Sequence, residues 1–491
     1  MNVLLIGISG HEKDFLLSLP ILKTYLTKFD DINKLFNIDT LEYGPDIDTD
    51  IIVSGINNNN PDIICFSCYI WNIDKIREVI PQVDTKIIVL GGPEVSLDFI
   101  NKGKFDDLEV DYLVYGEGEI PLYLILKTLD NPTIPKTGVV YKKDNKYYYG
   151  NRNFLEKLED DSVFLSGNVP HHLLNSNMRV NIETQRGCNF RCAYCQYGKN
   201  FPFIRYRDPL LVIKEFKYLY SKGIKYVRVL DSNFFSNKRH AYKILKELVV
   251  NKIKTHLVLE GNSVSLDDEI VDLLGKYTSL GNDIILSVGL QTTNKESSKI
   301  VNRYHNLESF SLAIKKLVDV NIIPRTDLIL GFPLETKETY INGIIYLIDL
   351  FRNSRGYVGL NILIILSDTE MIKISKQYNL SVNENHMVYE TPTLNKEDFS
   401  ECIDINAVIF RIFDPIVTKE DIEIREAFYR LSDKIGYKEC IYYLKDKIFG
   451  SGNYKFTLKD FPKGEYDYYR KTGKDIDDKS LLELLNRKYN E

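Results

Sequence analysis

The chain has 491 residues, of which 44% are hydrophobic and 27% charged, and its formal net charge is −6. The length predicts two or three domains with cores of their own, and the composition is that of a globular protein. The acidic balance argues against broad capture of nucleic acid by a basic surface, so we expect no nucleic-acid partner. No apolar run could span a bilayer and no signal leader is present, so we expect no membrane span and a cytoplasmic protein with reduced thiols.

Residues 1–130 alternate predicted strands with helices. The strands are continuous apolar runs, as buried parallel strands require: "NVLLIG", "PDIICFS", "TKIIVLGG" and "DYLVYGEGE". This alternation predicts a doubly wound, Rossmann-like parallel sheet, in which ligands bind beyond the carboxyl ends of the strands. Small residues occur at those ends, where a backbone can approach a bulky ligand: Ser67, Gly91, Gly92 and Gly118, the last beside Glu117.

Residues 131–175 read as a linker, with a hairpin turning at Asp144–Asn145. A second α/β region, residues 176–370, begins with the alternating strand "MRVNIET", and Asp208–Pro209 is a helix start. Five further strands separated by helices predict a partial (β/α)6 barrel, whose chemistry sits at the carboxyl ends of its strands. Those ends carry the cysteine loop, Asp231, Glu260, Asn262, Gln291 and Gly331.

Residues 371–491 form a predicted C-terminal helical domain without clear strand alternation. Its role is not indicated by any motif. We consider the hypothesis that its helices close over the barrel mouth and select the substrate. Cys402 and Cys440 occur there singly, and we interpret both as buried thiols.

Three of the seven cysteines lie in "RGCNFRCAYC", spaced Cys188-x-x-x-Cys192-x-x-Cys195. A structural zinc site needs a fourth ligand, a catalytic thiol needs a histidine base, and a disulfide is disfavoured in a reducing compartment. Iron–sulfur clusters are held by thiolates at short spacings of this kind. Three thiolates on a [4Fe–4S] cluster would leave one iron open to a substrate or cofactor.

This motif, with Tyr194 before its last cysteine and in the loop after the first barrel strand, resembles the radical S-adenosylmethionine (SAM) enzymes. The resemblance implies that Cys188, Cys192 and Cys195 hold the cluster and that SAM binds its open iron. It places Tyr194 beside the adenine and puts Asp231 and Ser232 where the family often has Gly-Gly-Glu. Further implied SAM contacts come from segments similar to later family strands: Glu260, Asn262, Gln291 and the region of residues 329–333.

The first region, through "FSCYIWN", "VLGGPEVS" and "VDYLVYGEGE", resembles the cobalamin-binding domain of one branch of that family. The resemblance implies that Ser67, Gly91 and Gly92 line the nucleotide tail of cobalamin, and that Tyr69 and Trp71 lie near the corrin edge; core packing is an equal alternative for these two. Glu117 and Gly118 belong to the third matching loop. We expect no metal or redox role for the Cys65–Cys68 pair, because Cys65 lies within a buried strand.

The combined resemblance implies a cobalamin-dependent radical SAM methyltransferase, which passes a methyl group from methylcobalamin to a carbon radical generated by the 5′-deoxyadenosyl radical. Two alternatives stay open: a radical cyclisation or rearrangement without methyl transfer, and a non-catalytic iron–sulfur electron-transfer protein. The expected partners are a small-molecule or peptide substrate and an electron donor such as flavodoxin or ferredoxin. The sequence does not indicate the oligomeric state.

Overall fold

The computed structural model describes residues 1–129, 137–143, 146–158, 161–415, 418–449 and 478–490. The predicted hairpin turn at Asp144–Asn145 lies outside these residues. The chain divides into two compact units. The first comprises Met1–Phe190, Gln196–Leu259 and Leu280–Asn282, and the second comprises Arg191–Cys195, Glu260–Ser279 and Asp283–Glu491.

The first unit opens with a seven-stranded sheet in the order β2-β1-β3-β4-β5-β6-β7. Its first five strands in that order are parallel, and β6 and β7 add an antiparallel hairpin beyond β5. The strands are β1 Asn2–Ile8, β2 Asn37–Tyr43, β3 Ile63–Ser67, β4 Ile87–Gly91, β5 Tyr112–Val114, β6 Val139–Lys143 and β7 Lys146–Tyr149. The helices are α1 Ser18–Thr27, α2 Asp30–Leu35, α3 Thr49–Asn58, α4 Ile73–Val79, α5 Leu97–Asn101 and α6 Glu119–Lys127.

The continuous apolar strands are buried because helices cover both faces of this sheet. Alternate residues of β1 enter opposite cores, with Leu4 and Ile6 in one and Val3 and Leu5 in the other. The doubly wound prediction is therefore confirmed. The edge strand β2 was not predicted, because "NIDTLEY" mixes polar and apolar residues without an apolar run.

The second α/β region contains six longer parallel strands and one short ladder. Three of the strands, β8, β11 and β12, pair in register in the first unit, and β13, β14 and β15 pair in the second. The strands are β8 Arg179–Ile182, β9 Gln185–Arg186, β10 Arg205–Tyr206, β11 Tyr226–Val229, β12 His256–Gly261, β13 Ile284–Val288, β14 Ile323–Leu330 and β15 Tyr357–Ile362. The helices are α7 Tyr197–Asn200, α8 Pro209–Ser221, α9 Lys238–Val250, α10 Asp268–Thr278, α11 Lys295–Ile300, α12 Leu307–Asp319 and α13 Lys337–Leu350.

Helix α8 begins as predicted. The Asp208 side chain accepts from the Leu210 backbone N–H at 3.0 Å, and Pro209 occupies the first turn, where its missing N–H is not needed. The predicted apolar face is buried: Val212, Ile213, Phe216 and Leu219.

The C-terminal part is mainly helical, as predicted, with one unpredicted antiparallel hairpin, β16–β17. Its elements are α14 Met371–Gln377, β16 Ser381–Val382, β17 Val388–Glu390, α15 Lys396–Phe413, α16 Lys419–Ile435, α17 Tyr437–Phe449 and α18 Asp478–Asn490. Cys402 and Cys440 are fully buried, which confirms their interpretation as buried thiols. Among the described residues, every helix is too short or too polar to traverse a bilayer.

The hypothesis that the C-terminal helices close over the barrel mouth stays a prediction, because the contacts of this region lie at both ends of the strands. The buried Arg425 of α16 donates to the carbonyl oxygens of Gly356 (2.9 Å) and Ser354 (3.3 Å), which precede β15. That contact lies at the amino end of the strand, opposite the end where barrel chemistry occurs. Parts of this region also contact carboxyl-end loops: the Met371 N–H donates to the Ala193 carbonyl of the cysteine loop at 3.1 Å, and Thr393 Oγ1 donates to the Glu335 carbonyl, just after β14, at 2.7 Å.

Candidate functional site

The cysteine loop is closed at its base by the β9–β10 ladder in the first unit. Gly187 follows β9 with φ +112°, and a Cβ at this position would overlap the Phe203 carbonyl. The Cys188 N–H donates to the Phe201 carbonyl at 3.2 Å. Glycine is thus required where two strands of the loop meet, and Cys188 leaves the ladder in a fixed direction.

Asp231 and Ser232 support this base. The buried Asp231 carboxylate accepts from the backbone N–H groups of Thr184 (2.8 Å) and Gln185 (3.1 Å) and from the Thr184 hydroxyl. Ser232 Oγ donates to the Gly187 carbonyl at 2.9 Å. Burial raises the pKa of Asp231 to about 7, against the effect of these hydrogen bonds. Asp231 was predicted to contact SAM, but both of its carboxylate oxygens accept hydrogen bonds from Thr184 and Gln185, in the segment that leads to Cys188.

The second unit contains the other two cysteines. The Cys195 N–H donates to the Cys192 carbonyl at 3.2 Å, and Ala193 between them is pinned through its N–H to Val301 and through its carbonyl to Met371. The Tyr194 ring lies 5.3 Å from the Phe332 ring. Burial raises the pKa of Tyr194 strongly, so its hydroxyl stays protonated. Tyr194 therefore presents a neutral phenol ring beside Phe332.

Arg303 is a site residue that the sequence reasoning missed. Its Nη1 lies 3.8 Å from the Cys192 sulfur, and its Nη2 donates to the Gly289 carbonyl, just after β13, at 2.6 Å. Hydrogen bonds to ligand sulfurs tune iron–sulfur clusters. In the sequence, Arg303 is only an arginine twelve residues after Gln291, and this spacing does not indicate a contact with a cysteine sulfur.

The remaining predicted SAM residues lie at the carboxyl ends of strands in the second unit. Glu260 is the second-last residue of the strand β12, and the Asn262 side chain caps the following short turn by accepting from the Val264 N–H at 3.2 Å. Gln291 has φ +74° and is held in that conformation by backbone bonds to Asp327 (2.7 Å) and Ile329 (2.8 Å). Non-glycine residues with a positive φ are uncommon, and those that occur cluster at functional sites.

In the N-terminal sheet, Tyr69 and Trp71 follow β3. Their rings stack at 4.4 Å, and Trp71 Nε1 donates to the Ile8 carbonyl at 3.1 Å. Ser67 is buried and lies 3.1 Å from the Ser18 hydroxyl. Trp71 is 46% exposed, so core packing does not account for it. An exposed indole at the carboxyl edge of a doubly wound sheet fits a flat apolar ligand such as a corrin.

Gly91 and Gly92 have a structural role that the sequence did not reveal. Gly92 has φ +109°, and a Cβ there would lie 2.5 Å from the Cys68 carbonyl oxygen. The Gly91 carbonyl accepts from the Cys68 N–H at 2.6 Å. Glycine is needed for the close approach of these two loops. Burial raises the pKa of Cys65 to about 12 and that of Cys68 further, so neither thiol is poised for redox chemistry.

Glu117 and Gly118 form the third loop of this edge. Gly118 immediately precedes α6. Glu117 is buried, and its Oε2 accepts from the Leu155 N–H at 2.7 Å and from Arg205 Nη1 at 2.9 Å. Its carboxylate is thus engaged by the protein itself rather than presented to a cofactor.

The donor chemistry fits the implied cluster, because none of the three motif cysteines forms a disulfide; Cys192 is buried and the other two are partly exposed. Within the described part of the chain, no three His, Cys, Asp or Glu side chains stand close enough together to hold a metal ion as they are. The cluster assignment therefore rests on the motif spacing and on the family match below.

Two families match this chain: the Radical SAM superfamily over residues 182–342 and the B12 binding domain over residues 30–126. A curated 2-(S-pantetheinyl)-carbapenam-3-carboxylate methyltransferase from Streptantibioticus cattleyicolor is 24% identical over 58% of this chain and 44% of its own. The cobalamin-dependent radical SAM methyltransferase TokK from Streptomyces tokunonensis is 24% identical over 71% of this chain and 54% of its own. The matches thus span about half the length of these relatives.

Among solved structures, the radical SAM methyltransferase TsrM from Kitasatospora setae, with cobalamin and a [4Fe–4S] cluster bound, superposes with a TM-score of 0.66. The similarity covers 96% of this chain and 99% of that one at 15% identity, so it supports the fold. The radical SAM domain implies a [4Fe–4S] cluster and SAM, and the B12 binding domain implies cobalamin. The chain belongs to the radical SAM enzymes that carry an N-terminal B12-binding domain.

Proposed function

We propose that this protein is a cobalamin-dependent radical SAM methyltransferase that methylates an unactivated carbon of a small-molecule or peptide substrate. The observation that carries the proposal is the presence in one chain of the three-cysteine motif and a B12 binding domain. Curated relatives with methyltransferase names support the choice of methyl transfer over rearrangement. We assign residues 1–130 to cobalamin, 131–175 to a linker whose hairpin β6–β7 extends the N-terminal sheet, 176–370 to the radical chemistry and 371–491 to a helical domain.

Three groups of side chains would bind the cofactors: the motif cysteines, Tyr194 and the aromatic pair at the carboxyl edge of the N-terminal sheet. Cys188, Cys192 and Cys195 would hold the cluster and leave one iron for SAM. Tyr194 would cover the adenine with a protonated phenol ring, since burial raises its pKa. When bound, the cluster and SAM supply a hydrogen-abstracting 5′-deoxyadenosyl radical, and cobalamin supplies the methyl group.

The cobalamin side would be apolar. Trp71, stacked on Tyr69, offers an aromatic surface near the corrin edge. Burial raises the pKa of Tyr69, so the pair carries no charge at neutral pH. Such residues position a ligand and exclude water; they do not transfer protons. Glu260, Asn262 and Gln291 stay candidates for polar contacts to SAM.

The test is anaerobic reconstitution of the full chain with iron, sulfide and cobalamin, followed by incubation with SAM and a reductant. We expect a bound corrin spectrum and two SAM products. 5′-Deoxyadenosine reports radical cleavage, and S-adenosylhomocysteine reports loss of the SAM methyl group. A rearranging enzyme would form deoxyadenosine without S-adenosylhomocysteine, and an electron-transfer protein would form neither product.

A further inference from the structure

Two arginines oppose each other at the base of the cysteine loop. Arg186 of β9 pairs directly with Arg205 of β10 in the antiparallel ladder that closes residues 187–204. Like charges directly opposite each other in a ladder are destabilising. Both side chains are also nearly inaccessible, at 8% and 5% exposure, so solvent does not screen them. The ladder therefore requires carboxylates from elsewhere.

Those carboxylates come from the loop after β5 and from the first residue of α6. Glu117 Oε1 lies 2.6 Å from Arg205 Nη2, and Glu119 Oε1 lies 2.8 Å from Arg186 Nη1. Both glutamates are about 95% buried, at 5% and 4% exposure. Glu183 completes the set with two bonds to Arg186, at 2.8 and 2.9 Å. Glu117 and Glu119, which follow β5, thus form ion pairs with both β9 and β10 at the base of the cysteine loop.

Two further contacts in the first unit join the same regions. Gln196 Nε2 donates to the Pro93 carbonyl at 3.2 Å, in the loop after β4. Arg152, which follows the hairpin, donates from Nη2 to Asn200 Oδ1 at 2.8 Å. Carboxyl-end loops of two adjacent strands of the sheet, β4 and β5, therefore contact the residues on either side of the motif.

We propose that Glu117 and Glu119 are positioning residues that couple the cobalamin side of the protein to the cysteine loop. The inference rests on the proposed function, because it takes the carboxyl edge of the N-terminal sheet as the cobalamin site. Separating a buried ion pair would leave each charge without its partner, which is costly. The segment of residues 116–119 and Arg186 therefore have to move together. Arg186 is two residues from Cys188. Ordering either partner therefore orders the other, and the coupling is reciprocal.

The test uses Glu119→Gln in the full chain, which keeps the side-chain size and removes one charge facing Arg186. The control is Glu215→Gln. Glu215 forms an equally buried pair with Arg207, at 2.7 Å, without touching the loop after β5. A merely structural effect of losing a buried ion pair would appear in both variants.

The first readout is the Kd of hydroxocobalamin, from the corrin absorbance, for iron-free and cluster-loaded protein. We expect the wild type to bind at least about fivefold more tightly when loaded, the lower end of usual couplings. Glu119→Gln should bring that ratio close to one, and the control should keep it. A wild-type ratio of one, or an unchanged ratio in Glu119→Gln, would overturn the coupling.

The second readout is hydrogen exchange of peptides covering residues 187–204 in cofactor-free protein. We expect exchange about tenfold faster in Glu119→Gln and unchanged in the control, because opening of this loop is a local event. Unchanged exchange in Glu119→Gln would refute the role of Glu119 in holding the cysteine loop. If the wild type bound no cobalamin, the proposed function would fail, and the exchange result would still decide whether Glu119 holds the loop.

Discussion

Replacing Asp231 with Asn should change how stability depends on pH. Burial raises the pKa of this carboxyl from 3.8 to about 7, so the folded protein binds its proton more tightly than the unfolded chain does. Stability from this group is then present at low pH and is lost as pH rises from about 4 to about 7. Integrating the shift predicts a loss of roughly 2 to 3 kcal/mol between about pH 5 and about pH 8.

The asparagine variant is suitable because its Oδ1 can still accept from the backbone N–H groups of Thr184 and Gln185, while its Nδ2 donates to the Thr184 hydroxyl. Urea unfolding of iron-free wild type and variant at the two pH values gives the comparison, and contributions from all other groups cancel. Asp272→Asn, on the exposed face of α10, serves as the control. Equal losses of stability in the wild type and in Asp231→Asn between the two pH values would contradict a raised pKa of Asp231.

Three further outcomes follow from the geometry. Gly92→Ala should cost about 2 kcal/mol or more, measured by urea unfolding, because its φ is +109° and the new Cβ would press on the Cys68 carbonyl; an unchanged midpoint would contradict this. Arg303→Met should make the reconstituted cluster lose iron to a chelator about tenfold faster, since the contact to the Cys192 sulfur is lost; equal rates would count against this role. Truncation after residue 391 should weaken SAM binding by about tenfold, or about 1.4 kcal/mol, because the loop after β14 loses its support; undiminished SAM affinity would refute it.

The last prediction reverses an expectation from sequence. If the C-terminal helices only covered the barrel mouth, their removal would impair product formation more than SAM binding. The structure instead connects the segment before α15 to the loop after β14. Gly331 at the end of β14 has φ +101°, and a Cβ there would lie 3.1 Å from Val388 and 3.3 Å from Phe399. Helical periodicity predicts α15 but not which strand end it supports.

The fold was readable from sequence where burial leaves a simple pattern. Runs such as "VLLIGI" are buried on both faces, and the capping pair Asp208–Pro209 marks a helix start by local chemistry alone. Strand β2 was not predicted, because an edge strand tolerates polar residues and so lacks a continuous apolar run. The hairpin β16–β17 escaped because two- and three-residue strands carry no periodicity.

The site was readable only where the chemistry is concentrated in one stretch. The cysteines of "RGCNFRCAYC" are three thiols within eight residues, so spacing alone indicates their role. Glu117 and Arg205 are separated by 88 positions, and their ion pair depends on tertiary packing. Glu117 therefore looked like a ligand residue of a glycine-rich loop, whereas its carboxylate is bound by Arg205 and by the Leu155 N–H.

The central claim is that the three-cysteine loop holds a cluster that cleaves SAM. Its most direct test is anaerobic reconstitution of wild type and Cys192→Ala, with the cluster followed by electron paramagnetic resonance and SAM products by mass spectrometry. We predict a reducible [4Fe–4S] signal and 5′-deoxyadenosine from the wild type, and neither from the variant. Deoxyadenosine formation that persists in Cys192→Ala, or a wild type that binds iron yet leaves SAM intact, would contradict the claim.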